Sequence, residues 1–121
     1  MVVHLKRIYE APSNADGVRI LVDRIWPRGI SKEKAQLDEW LKEIAPSHDL
    51  RKWFAHDVSK FPAFAEKYKG ELKQNDEQRT AFLKLKQIIQ QSEMVTLLYA
   101  AKDEEHNQAQ VLKQYIENDG G

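Results

Sequence analysis

The sequence predicts an α/β fold: a small, mostly parallel sheet of about four strands with helices on both faces, a three-layer sandwich of the Rossmann or flavodoxin kind. Three observations carry this. Short apolar and β-branched runs, Val18 to Val22 and Met94 to Ala101, are bounded by turn or polar residues, as strands are. Stretches of helical periodicity lie between the strand-like runs, so the strands are joined by crossovers and run largely parallel. Met94 to Ala101 is apolar at successive positions, which suits a central strand buried on both faces.

In chain order, Val2 to Tyr9 alternates, with Val3, Leu5 and Arg7 on one side and His4, Lys6 and Ile8 on the other, which predicts a first strand. Ala11 to Gly17 is turn chemistry, and Val18 to Asp23 is a second strand. Pro27 and Gly29 break regular structure, and Ser31 caps a short helix from Lys32 to Gln36. Leu37, Trp40, Leu41 and Ile44 have helical spacing, yet the segment stops sharply at Pro46 in the manner of a strand; periodicity alone favours helix. Ser47 caps a helix carrying Leu50, Trp53 and Phe54. Ser59 and Pro62 open another, with Phe61, Phe64, Ala65, Tyr68 and Leu72 on one face. Asn75 or Asp76 caps a helix that turns Phe82, Leu85, Ile88 and Ile89 inward. After the strand from Met94, Asn107 to Asn118 forms the last helix, with Leu112, Tyr115 and Ile116 inward, and Gly120-Gly121 frays.

At 121 residues the chain is one domain, residues 1–121, with no linker or repeat. Lys plus Arg and Asp plus Glu both number 19, so the net charge is zero, which argues against a general nucleic-acid coat but not against a local basic patch. The absence of cysteine excludes disulfides, thiol catalysis, zinc–thiolate sites and iron–sulfur clusters. No apolar run approaches a membrane span of about 20 residues, and the N-terminus has no signal core, so the expected location is the cytoplasm. No cofactor motif is present (no P-loop, GxGxxG, HExxH or GxSxG) and the histidines have no metal-ligand spacing, so neither cofactor nor metal is expected.

In an open α/β sheet the ligand crevice lies at the carboxyl ends of the strands, so the residues after each strand are the site candidates. Asp23-Arg24-Ile25-Trp26-Pro27-Arg28-Gly29 follows the second strand. Ala45-Pro46-Ser47, with Arg51 one turn into the next helix, follows the third. Lys102-Asp103 and His106-Asn107 follow the last. Arginine keeps its charge and offers a planar fork to phosphate or carboxylate. A helix N-terminus at Ser47 adds free amides. Trp26 is placed to stack on a base or sugar, Lys102 and Asn107 to orient a ligand, and His106 or Asp103 to move a proton, a role open also to Asp23 and Glu71.

Each residue also has a structural reading. Arg24 and Arg28 can pair with Asp23 and Glu71; Trp26, Trp40 and Trp53 are first of all core aromatics. Ser47 is first a helix cap. His4 and His48 suit a surface or core edge, and His56 stands alone.

These residues also carry a resemblance. Val22 to Lys32, Trp40 to Ser47 with Leu50 to Phe54, Phe64, Tyr68 and Glu71-Leu72, then Thr96 to Asp103 and His106 to Ala109, resemble the YeaO-like family, small bacterial proteins in domain-of-unknown-function group 488. The similarity runs nearly the length of the chain, and Asp-Arg-x-Trp-Pro-Arg-Gly is its specific block. The resemblance implies a compact α/β domain and a strand over Trp40 to Ala45, and it implies no activity. The expected function is an anion pocket for a small phosphate- or nucleotide-like ligand, with or without catalysis. The alternative is a binding module for nucleic acid or an acidic partner, and the oligomeric state is open.

Overall fold

A computed structural model describes residues 2–118; the expected fraying of Gly120-Gly121 lies outside them. The strands are β1 (Val2–Arg7), β2 (Val18–Leu21), β3 (Glu39–Trp40) and β4 (Met94–Tyr99). They form one four-stranded sheet in the order β1-β4-β2-β3, with every pairing parallel. β4 sits between β1 and β2, with Val95 level with Val3 and Leu97 level with Ile20. The predicted α/β class and parallel sheet are what the chain adopts.

The strands alternate between two cores, as the two-residue side-chain period requires. Val3, Ile20, Val22, Val95, Leu97 and Tyr99 face the larger one. It is closed by α2 (His48–Phe54), α3 (Phe61–Gln74), α4 (Asp76–Gln90) and α5 (Gln108–Asn118). The helical spacing read from sequence is the burial observed: Phe64, Tyr68 and Leu72 of α3, Phe82, Leu85 and Ile89 of α4, and Leu112, Tyr115 and Ile116 of α5. Stacked rings, Phe54 on Phe64 at 4.3 Å and Phe82 on Tyr115 at 5.0 Å, knit the helices together. Ile8, Leu21 and Leu98 face the smaller core, covered by α1 (Lys32–Ala35) and by Trp26, Ile30, Leu37 and Trp40. The helical cover is therefore on both faces but uneven.

Three predicted caps form; the fourth does not, since Ser59 donates to Asp57 and α3 begins after Lys60 without a side-chain cap. Ser31, Ser47 and Asn75 accept from Lys34, Leu50 and Gln78 amides, each satisfying an otherwise open first-turn donor. Gly17, at φ +65, enters β2 where an added Cβ would lie 2.3 Å from the Met94 carbonyl oxygen. No other residue fits that approach.

Residues 37–45 correct both sequence readings. The strand is Glu39–Trp40 alone, followed by a 3-10 turn at Lys42–Ile44, so neither a helix nor a strand from Trp40 to Ala45 exists. The helical spacing is coincidental because the apolar residues serve different faces: Leu37 and Trp40 enter the smaller core, Leu41 and Ile44 the larger. Trp53 is a second correction: it is not core but 39% exposed, with Lys60 and Lys67 ammonium groups over its ring at 5.0 and 5.3 Å.

At the amino end of β2 lies a buried charge cluster. Asp16 pairs with Arg19 at 2.5 Å and Lys6 at 3.1 Å, and Arg19 also donates to the Ala35 carbonyl at the end of α1, at 2.7 and 3.1 Å. Burial works against the Asp16 charge, but the Ser13 amide, Lys6 and Arg19 outweigh it and hold the carboxyl below its ordinary value. No helix among the described residues is long and apolar enough to cross a membrane.

Candidate functional site

A cleft of about 820 Å³ opens at the carboxyl ends of β2 and β4. That is where an open α/β sheet exposes strand ends and loop amides together, and the size suits a small molecule. Of the residues expected from sequence, Arg24, Trp26, Arg28, Arg51, Lys102, Asp103, His106 and Asn107 line it. Ser47 does not.

Arg24 is carried on the loop after β2 and Arg51 on α2. Each has a buried Nε with no hydrogen-bond partner. Arg24 Nη2 donates to the Ala45 carbonyl at 3.3 Å. None of Arg24, Arg28, Arg51 and Lys102 forms an ion pair among the described residues. Arg19 shows what a structurally used arginine looks like in this chain, with a carboxylate and two backbone carbonyls on its guanidinium. The reading in which Asp23 and Glu71 pair with the cleft arginines is thus not what forms. A buried charged donor without an acceptor costs about 1–3 kcal/mol or more.

Glu71 and Ser47 account for each other. Glu71 accepts from the Ser47 amide at 2.9 Å, from Ser47 Oγ at 2.5 Å and from Gln78 Nε2 at 2.9 Å. Gln78 also donates to the Ala45 carbonyl at 3.1 Å, the same oxygen that Arg24 meets. This network from α3 and α4 fixes the Ala45-Pro46-Ser47 turn and so positions Arg24. The Ser47 amide already holds a carboxylate, and Ser47 is the cap, with Oγ accepting from Leu50.

Asp23 forms the floor. Its Oδ2 accepts from the Ala100 amide at 2.9 Å and its Oδ1 accepts from the Gln108 side-chain amide, while Trp40 Nε1 donates to its backbone oxygen at 2.7 Å. One residue therefore ties together the ends of β2, β3 and β4 and the start of α5. Burial pushes its carboxyl up to about 6, against the Ala100 and Gln108 donors and the Arg51 charge, which pull it down.

On the far wall, His106 Nδ1 meets Asp103 Oδ2 at 2.9 Å, and its ring stands edge-on to Phe61 at 5.2 Å. The Glu105 amide first, then His106, hold the Asp103 carboxyl below its ordinary value. Bonding at Nδ1 leaves Nε2 without a partner among the described residues, the arrangement of an oriented acid–base imidazole. Asn107 has a different use from the one expected. Its Oδ1 caps α5 through the Gln110 amide at 3.1 Å and its Nδ2 donates to the Asp103 carbonyl at 2.8 Å, so the side chain holds the loop. Trp26 is both wall and core: Nε1 donates to the Ile30 carbonyl at 2.6 Å and the ring packs edge-on against Trp40 at 5.3 Å. Arg28 and Lys102 are exposed. His4, His48 and His56 are exposed as well, and only His56 touches the cleft.

Sequence reasoning missed Gln108 and the apolar walls Phe54 and Phe64, and treated Asp23 only as one acid among several. Asp23 directly follows β2, so the strand-end rule contained the signal. Gln108 had none, since its importance comes from contact with a residue 85 positions away.

A family model described as the inactive DUF488-N3 subclade matches residues 2–120. The chain is 44% identical over 118 residues to the uncharacterized protein YeaO of Escherichia coli (strain K12), covering 96% of this chain and 97% of that protein. It is 37% identical over 114 residues to the uncharacterized proteins Mb3100c of Mycobacterium bovis and Rv3073c of Mycobacterium tuberculosis, covering 94% of this chain and 92% of each. No solved structure matches it significantly. Match and identity extend over essentially the whole chain, strand ends and cleft loops included, and the chain belongs to the YeaO-like DUF488 family.

Proposed function

We propose that the cleft binds a small oxyanionic ligand, phosphorylated or nucleotide-like, without turning it over. Arg24 and Arg51 clamp the anion, the exposed Arg28 and Lys102 draw it to the mouth, and Trp26 walls its ring or sugar. The observation that carries the reading is the pair of buried Nε atoms, on two arginines with no carboxylate partner, in one cleft at the strand ends. The description of the matching family as inactive supports binding without catalysis.

A second reading rests on the His106–Asp103 pair, whose geometry at 2.9 Å is that of a general base beside a bound anion. Calorimetric titration of the chain with inorganic phosphate, a nucleoside monophosphate and a sugar phosphate tests the first reading. Saturable binding weakened about tenfold or more by Arg51→Gln is expected. No binding at millimolar ligand, or binding indifferent to that change, overturns it. Release of phosphate or base during the same incubation, abolished by His106→Ala, replaces it with the second.

A further inference from the structure

We infer that Asp23 makes this cleft selective for oxyanions that still carry a proton, accepting phosphate and rejecting sulfate. The inference rests on the anion-binding reading of the cleft and narrows its ligand to inorganic phosphate and the protonated forms of phosphate esters.

The two arginines explain why an anion enters, but not why a carboxylate lies in the same cleft. Asp23 belongs to the lining, and its orientation is fixed because each oxygen accepts from a donor on a different element, Ala100 after β4 and Gln108 on α5. Each carboxylate oxygen has more than one acceptor direction, so both retain capacity. Arg51 is close enough to lower the Asp23 carboxyl, yet no hydrogen bond or ion pair joins them. Of the other acids nearby, Glu71 is spent on Ser47 and Gln78 and does not line the cleft, and Asp103 is paired with His106 on the far wall. Asp23 is therefore the acceptor that an anion held by Arg24 and Arg51 meets.

Two bare oxyanions in contact repel, as paired carboxylates do. A proton between them turns the contact into a short charge-assisted O–H···O hydrogen bond. Sulfate carries no proton near neutral pH. Inorganic phosphate keeps one far into alkaline solution, whereas a phosphate monoester loses its last near pH ~6. The raised Asp23 carboxyl, at about 6, adds a second consequence: in acid Asp23 supplies the proton itself and the selectivity fades. Lys102, Arg28, His56 and His106 also face the cleft. Added positive charge on these groups draws a dianion more than a monoanion, and near pH ~5 phosphate is a monoanion where sulfate stays a dianion, so each ratio of affinities is read against that of Asp23→Asn at the same pH.

The experiment is calorimetric titration of the full chain with sodium phosphate, sodium sulfate and a sugar phosphate, at about pH 8 and again at about pH 5. The expected result at the higher pH is phosphate bound about tenfold or more tighter than sulfate, with the ester weaker than phosphate. At the lower pH sulfate and ester gain on phosphate. Asp23→Asn, the same shape with a donor in place of an acceptor, brings the phosphate-to-sulfate ratio to near one at about pH 8, where both anions are mostly dianions. Equal binding of phosphate and sulfate by the unaltered chain at about pH 8 overturns this inference and leaves the anion cleft standing. Binding of neither anion overturns both. If Asp23→Asn does not fold, the ratio measured on the unaltered chain decides alone.

Discussion

Arg24 reaches the carbonyl oxygen of Ala45 at 3.3 Å with one end of its guanidinium and leaves its Nε buried and unpartnered. A residue kept for stability would be bonded as Arg19 is. Arg24→Ala removes one long hydrogen bond and an uncompensated charge, so the expected stability change is small, about 1 kcal/mol or less, or a Tm shift under about 5 °C. Phosphate affinity falls about tenfold or more. Thermal melts and titration of the same variant check this: a large Tm loss with unchanged affinity would place Arg24 in the scaffold.

Asp23 ties stability to pH in the direction opposite to an ordinary paired acid. Burial raises its carboxyl from 3.8 to about 6 in the folded chain, which therefore holds this proton more tightly than the unfolded chain. Stability falls as pH rises from about 4 to about 6 and is flat above, as far as this group is concerned. Replacing it with Asn removes that cost. Asp23→Asn is expected to be more stable above pH ~6, on the order of 2 kcal/mol after allowing for solvent at the cleft, and to lose the advantage below pH ~4. Urea denaturation across this pH range checks the sign. A variant less stable at every pH would show that the Ala100 and Gln108 bonds outweigh the buried charge.

Asp16 gives the contrasting case. Its carboxyl is held low, so the stability it contributes is present above the ordinary value of 3.8 and is lost as pH falls through the lower folded value. Asp16→Ala leaves Arg19 and Lys6 without their carboxylate, in a cluster where Arg19 is 4% exposed. The expected cost is about 3–5 kcal/mol at neutral pH, read by denaturant unfolding, with the difference from the unaltered chain shrinking in acid.

Glu71 acts on the cleft from a distance. Glu71→Ala strands the Ser47 amide and hydroxyl and one Gln78 bond, at about 2–3 kcal/mol. The freed Ala45 turn loosens Arg24, so phosphate affinity also drops, by less than in Arg24→Ala. An unchanged affinity in Glu71→Ala, measured by the same titration, would separate the network from the site.

The parallel sheet and the four longer helices were legible because their signals are local: alternation, capping residues and 3.6-residue spacing each report on one element. Residues 37–45 were not, because the apolar side chains of that segment divide between two cores, and a periodicity test cannot see that division. The arginines of the cleft were legible from their place after strands. Ser47 and Asn107 have structural uses that sequence alone does not separate from ligand holding, because a cap and a ligand-holding side chain have the same residue types at the same strand-to-helix junctions; their observed partners are Glu71 and Leu50 for one, Gln110 and Asp103 for the other. Asp23 became distinctive only once Gln108 and Ala100 were seen to bury and orient it. Trp53 looked like core by composition and lies outside it, its ring covered by lysines.

The most direct measurement is a crystal structure of the chain soaked in phosphate. The expected density is one anion between Arg24 and Arg51, with its oxygens about 3 Å from the nearest nitrogens of both guanidinium groups and another oxygen facing the Asp23 carboxylate. An empty cleft at saturating phosphate, or an anion bound elsewhere and touching neither guanidinium, would contradict it.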